Sequence, residues 1–255
     1  MGTKERRQRE VAEREQLFID KARELVCEEG LLQLQMARLA EECDYATGTL
    51  YQHFGSKEDL VVALLTDRVD ERTELFRRAA EWDARPRDRM FAVAAAETLF
   101  VQRNPDYFRI AQLALTEIVW SAASVERRHE YLAKMKPIGD MVVGIVKQGV
   151  EAGDLELEGD ATVEEAALGV WTLVCGTHNL VHAEGFLESF EVREPYRLMG
   201  RNIHRLLNGL DWQPLFDVGD VEAYDRYLER LSSELFGAGD ERAGRSRAGA
   251  VLGKA

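Results

Sequence analysis

Apolar residues recur at intervals of three and four along most of this 255-residue chain, the spacing of one face of an α-helix. Val11, Phe18, Ala22, Leu25 and Val26 form the first such stripe, and Gly30 follows it as a left-handed stop. Met36, Leu39, Ala40 and Cys43 make a second, shorter stripe. Asp44, Tyr45 and Ala46 read as a tight connection into a helix over Thr47–Phe54, with Leu50 and Phe54 facing inward. Ser56 and Asp59 then form a capping-box pattern. It opens a long helix that Leu60, Val61, Leu64, Leu65, Val69, Leu75, Phe76 and Ala79 carry to about Trp82.

The remainder repeats the alternation of helix and break. Pro86 opens a helix through Met90, Val93, Ala94 and Phe100, and Asn104–Pro105 is a cap with a first-turn proline for a helix to about Trp120. Ser124 opens another, interrupted at Pro137 and resuming to Gly153. Thr162 and Glu165 form a second capping box, opening a helix to about Ala183; Pro195 opens one to Asn208, closed by Gly209. Val221, Tyr224, Leu228, Leu231 and Leu235 predict a last one. No segment shows the period-two alternation of a strand, so the expected fold class is all-α. The Gly- and Ala-rich stretch 237–255 is expected to be disordered.

Composition agrees: 45% hydrophobic and 31% charged residues with five prolines suit a helical globular chain. The three scattered cysteines, Cys27, Cys43 and Cys175, read as free thiols of a reducing compartment. Met1–Glu15 is charged throughout and lacks a secretory pattern. The longest uncharged run, Ala166–Ala183, contains two Thr, an Asn and two His, which suits a buried helix better than a membrane span. A cytoplasmic protein without membrane contact is expected. The net charge of −13 leaves no broad basic face; residues 1–60 hold nine Lys/Arg against thirteen Asp/Glu. Nucleic acid must therefore be gripped by a few placed groups.

The pattern Ala22…Leu25…Gly30, Met36-x-x-Leu39-Ala40, Tyr45-Ala46-Thr47-Gly48-Thr49-Leu50-Tyr51-Gln52-His53-Phe54 and Ser56-Lys57-Glu58-x-Leu60 resembles the DNA-binding domain of the tetracycline-repressor (TetR) family. Two positions depart from that family's habit: Gln35 stands where Thr or Ser caps the second helix, and Asp44 where the turn often has Gly. The resemblance implies an N-terminal three-helix helix-turn-helix domain and a larger helical ligand-binding and dimerisation domain. The chain is divided accordingly into residues 1–60 (with a short basic arm, 1–10), 61–210, an extra helical extension 211–236, and the tail 237–255. It further implies a homodimer that holds a double-stranded DNA operator and responds to a small-molecule effector, the dimer contact falling on Val163–Ala183 and Tyr196–Asn208.

The head's chemistry fits. A helix-turn-helix sets one helix in the major groove, and two heads of a dimer must lie about 34 Å apart on a palindrome. Thr47, Gly48 and Thr49 keep the approach close. Gln52 carries the amide that can read adenine bidentately. Tyr51, His53, Lys57 and the Gln35 amide are candidates for phosphate contact, which positions rather than specifies. Lys4, Arg6, Arg7 and Arg9 of the basic arm are a further phosphate or minor-groove candidate.

In the second domain, Glu97 and Glu117 interrupt apolar runs. Each faces a cavity, meets an Arg or points to solvent. With Phe100, Phe108, Trp120, Met141, Trp171, Cys175 and His178 they form the candidate effector-binding set, suited to a largely apolar molecule. Cys175, His178 and His182 share a helical stripe that either packs or, with a carboxylate from elsewhere, ligates zinc. The reading taken is packing, with no metal and no cofactor. Glu126-x-x-His129 is the lone motif of its kind, too few for a di-iron bundle. With no phosphate loop, His-Glu-x-x-His or nucleophile elbow, the chain is not read as an enzyme; the resemblance implies a repressor. The alternatives are an activator or protein-partnered regulator of the same fold, and a helical metal-dependent enzyme using His178 and His182.

Overall fold

The computed structural model describes residues 3–236; Met1, Gly2 and the tail 237–255, expected to be disordered, lie outside the described residues. These form α1 (Thr3–Glu29), α2 (Met36–Glu42), α3 (Thr47–His53), α4 (Lys57–Thr66), α5 (Val69–Ala80), α6 (Pro86–Arg103), α7 (Pro105–Ala114), α8 (Glu117–Ala122), α9 (Val125–Glu151), α10 (Val163–Val181), α11 (Pro195–Gly209) and α12 (Val221–Leu235), with 3-10 turns at Leu31–Gln33 and Glu188–Phe190. No strand occurs among the described residues. They make two compact units: the chain up to Asp70 together with Asn104–Met135, and Glu71–Arg103 together with the chain from Lys136 onward. A linear division at residue 60 follows the motif; the packing differs because α4 is covered by α7 and α8 as well as by α1.

In the first unit, Phe18, Ala22, Leu39, Ala40, Leu50 and Phe54 have no solvent exposure; each large apolar side chain so buried contributes about 1.5–3 kcal/mol. The ring of Phe18 lies edge-on to Tyr45, His53 and Phe54, at 5.3, 5.5 and 6.5 Å. Gly30 and Asp44 adopt φ of 87° and 58°, the left-handed backbone that Gly supplies freely and Asp tolerates next best. The expected basic arm is instead the opening of α1: Arg6 and Arg9 donate to Glu10 and Glu13, one turn on, at 2.8 and 2.7 Å, supporting a helix that few contacts hold. Val11, placed in the apolar stripe, is exposed there.

Three breaks differ from the sequence pattern, each for a tertiary or side-chain reason. The helix after Ser56 does not run to Trp82. It stops at Thr66, where the Arg23 guanidinium donates to the Leu64 carbonyl at 3.1 Å and to Asp67 at 2.9 Å, taking an acceptor that helix continuation would need. The helix after Pro105 stops at Ala114, where the Thr116 hydroxyl donates to the Leu113 carbonyl at 2.7 Å and caps α8. Conversely, α9 runs through Pro137 without interruption. Pro137 and Ala133 are exposed, so the carbonyl that the proline leaves unbonded can take water.

In the second unit, α6 packs against α10 and α11. The Thr162/Glu165 capping box is complete. The segment after Leu210, to which the sequence assigned no role, belongs to this core: Trp212 and Tyr224 are fully buried, and the Trp82 indole donates to Glu234 on α12 at 2.8 Å. The His204 imidazole is stacked between Phe91 at 4.4 Å and Phe216 at 4.0 Å. Arg87 donates to the Pro214 carbonyl at 2.8 Å and to Asn208 at 2.5 Å. Gly200 lets Tyr224 close in, since a Cβ there would sit 2.1 Å from the Tyr224 hydroxyl.

Candidate nucleic-acid interface

Leu50 buries one side of α3 in the head. The helix period then turns Gly48, Tyr51 and Gln52 outward. Gly48 and Gln52 are exposed, Tyr51 is 48% exposed, and Thr47 and Thr49 are half-buried at the rim. A Cβ on Gly48 would meet nothing within 4 Å, so no packing within the protein requires glycine there. From Tyr45 to Lys57 this acidic chain carries no Asp or Glu. The α3 face therefore offers hydroxyls, an amide and a phenol without carboxylates to repel phosphate.

The neighbouring groups divide. Gln35 precedes α2 with its amide exposed and no side-chain capping bond. Lys57 occupies the first turn of α4, half-buried, its ammonium 3.5 Å from the Leu32 carbonyl. Ser56 accepts the Asp59 N–H at 3.0 Å, half of the expected capping box. The Asp59 carboxylate does not reach back; it accepts the Ser124 N–H at 2.6 Å. His53 is a correction: its side chain is 6% exposed, edge-on to Phe18, with Nδ1 3.4 Å from Glu15. Phe54 behind it closes the head, so the imidazole has turned into the core and away from the face it was assigned to.

Residues distant in sequence support the same helix. Arg127, on α9, donates to the His53 carbonyl at 3.0 Å, to Glu15 at 2.7 Å and to Glu130 at 3.0 Å. Its guanidinium lies over the Phe54 ring at 5.1 Å. Burial opposes its charge, yet Glu15 and Glu130 raise its pKa above the ordinary arginine value. No local pattern marks Arg127 or Glu15, because the pairing spans most of the first unit's sequence.

Residues 18–64 match the sequence model of the bacterial regulatory proteins of the tetR family. Over these residues the chain carries a TetR-family DNA-binding head. It is 22% identical over 139 residues to the fatty acid metabolism regulator protein of Bacillus subtilis, covering 54% of this chain and 69% of that one. To the HTH-type transcriptional repressor KstR of Mycolicibacterium smegmatis it is 29% identical over 126 residues, 48% of this chain and 59% of that one. The crystal structure of the transcriptional regulator FadR from Bacillus subtilis in complex with stearoyl-CoA superposes with a TM-score of 0.56 at 20% identity, covering 76% of this chain and 98% of that chain. At that identity the likeness is one of fold.

The remaining candidates, those of the effector-binding set, fall in both units. Phe108, Glu117 and Trp120 belong to the first unit, and Glu97, Phe100, Met141, Trp171, Cys175 and His178 to the second. Phe100 and Phe108 are buried, and Trp120 and Met141 half-buried. Glu97 faces an arginine: Arg72 donates to both its oxygens, at 2.7 and 3.0 Å, with both side chains buried. Glu117 is exposed in the first turn of α8, where the helix dipole favours a carboxylate. Trp171 is 47% exposed, and Leu168, one turn before it on α10, is exposed as well.

On the Cys175–His178–His182 stripe, Cys175 and His182 are half-buried. His178 is fully buried with Nδ1 3.4 Å from the Tyr196 hydroxyl. His182 Nδ1 lies 2.9 Å from the His178 carbonyl. Burial pushes the Cys175 thiol up to about 11 and the His178 imidazole down to about 3. Among the described residues, no group of three or more His, Cys, Asp or Glu is placed to hold a metal ion, and no helix is long and apolar enough to cross a membrane.

Proposed function

We propose that this chain is a ligand-responsive transcriptional repressor, working in the cytoplasm as a homodimer that holds a palindromic DNA operator and releases it when a small molecule binds the second unit. The observation that carries this reading is the outward face of α3, free of acidic residues and presented by a TetR-family head. On it, Thr47, Gly48, Thr49 and Gln52 read base edges, while Tyr51, Lys57 and Gln35 hold phosphates. The cations of the opening of α1 add outer phosphate contacts. Leu168 and Trp171 on α10 and Leu198 on α11 are exposed, and such apolar side chains support a dimer contact through these helices.

The effector we propose is lipophilic, with a long acyl chain as the leading class. Two things support this: the apolar content of α6, including the buried Phe91 and Phe100, and the stearoyl-CoA bound to the Bacillus subtilis FadR structure of the same fold. Because Arg72 already neutralises Glu97, that carboxylate offers no site for a cationic head group. Selection of bound duplexes from a random pool tests the reading. A two-fold-symmetric sequence whose affinity falls on adding acyl-CoA of some chain length is the expected result. Failure to enrich any sequence at low salt would defeat it.

A further inference from the structure

A helix ends with carbonyls that no residue of its own can satisfy, and with a partial negative charge. In α3, the His53 carbonyl at that end receives the Arg127 guanidinium at 3.0 Å. The same group bonds Glu15 on α1 at 2.7 Å, bonds Glu130 at 3.0 Å and lies over Phe54, the residue that caps α3, at 5.1 Å. Only 16% of the side chain is exposed. Next to it the Ser124 N–H bonds Asp59 in the first turn of α4 at 2.6 Å. The start of α9 is thus tied at two points to the segment that surrounds α3. One of them acts directly on the end of the reading helix.

We propose that Arg127 is a positioning residue for DNA recognition: it touches no base or phosphate, but sets the tilt at which α3 presents Thr49, Tyr51 and Gln52. The proposal rests on the repressor reading above. Its reasoning is geometric. A helix as short as α3 is held by few contacts, and its Leu50 side chain fixes depth better than direction. A planar, multiply bonded guanidinium at one end fixes direction. A change in the set of α9 against α1 reaches α3 through this side chain.

The test uses purified full-length chain and a duplex enriched by the wild type. Arg127→Met should weaken binding at least tenfold, with the order of base preferences kept. Arg127→Lys, which keeps the charge but not the planar fork, should recover part of the loss. In DNA-free protein, amide hydrogen exchange should accelerate at residues 50–54 in Arg127→Met while the amides of α1 between Phe18 and Val26 stay as slow as in the wild type. Operator affinity within twofold of wild type overturns the proposal. So does exchange that accelerates equally over α1 to α4, since that marks general support of the head. If Arg127→Met does not fold, Glu15→Gln, which removes one partner charge, carries the same two readouts with the same criteria. A wild type that binds no duplex sinks the repressor reading and this proposal together; a wild type that binds, with variants that bind equally, sinks only the proposal.

Discussion

The outward face of α3 and the interior of the second unit treat polar groups in opposite ways. On α3, Gly48, Tyr51 and Gln52 stand in solvent, and a side chain added at Gly48 would meet nothing. In the second unit, Arg72 and Glu97 are sealed against each other, Arg87 is tied to Pro214 and Asn208, and His204 is pressed between two phenylalanine rings. The first arrangement leaves its hydrogen-bonding groups in solvent. The second commits the charges of Arg72, Glu97 and Arg87 to fixing a scaffold. The contrast teaches that the buried charges of this chain serve its fold, while the α3 face keeps its polar groups in solvent.

Substitutions can break this contrast, and the largest effect is expected in the sealed interior. Glu97→Ala leaves the Arg72 charge buried beside Phe76, and should cost about 3–5 kcal/mol of unfolding free energy in urea titration. Replacing both partners by apolar residues of similar volume should restore most of it. Gly200→Ala drives a methyl against the Tyr224 hydroxyl and should cost about 1–3 kcal/mol, as overpacking does. Combining it with Tyr224→Phe should return part of the loss in the melting temperature.

On the exposed face the same method should register recognition and little stability. Gln52→Ala should relax preference at particular base pairs by about 1–3 kcal/mol, whereas Tyr51→Phe should weaken all duplexes alike; equal losses on every sequence for both would refute the division between reading and holding. Acid sharpens the comparison from the other side. Burial holds His204 and His178 near 3, below the ordinary 6.5. Between those values the unfolded chain binds protons that the folded chain refuses. Their stabilisation is therefore complete above pH about 6.5 and is lost as pH falls toward 3, by about 1.4 kcal/mol per pH unit for each histidine. His204→Phe should remove one share of that slope in denaturation midpoints measured across this window. Gly48→Ala carries the smallest energy and opposite signs: it should stabilise the head by about 0.5–1 kcal/mol, because Ala suits a helix better, while weakening operator binding in the same preparation.

Much of this was legible in the residues, and what escaped did so for a common reason. The Thr162/Glu165 box, the Gly30 and Asp44 turns, the Ser56 cap and the inward Leu50 and Phe54 all follow from neighbours within a turn or two, and all appear in the structure. The stop at Thr66 was hidden because its cause, Arg23, lies on α1. His53 looked like a phosphate donor from its place beside Tyr51; Phe18 and Glu15 drew it inside. Trp171 looked like a pocket wall by composition and stands half in solvent.

By itself, then, the order of residues determined where most helices start and turn, that the fold class is all-α, and which short block matches a DNA-binding family. Those features depend on backbone sterics, caps and side-chain periodicity, which act over a few residues. Tertiary structure alone decided that Glu97 meets Arg72, that Asp59 serves Ser124, that Arg127 holds the end of α3, and that the segment after Leu210 completes a core. A charge or a ring takes as partner whichever group folding brings within a few ångströms, and that distance is set through space by the packing of whole helices.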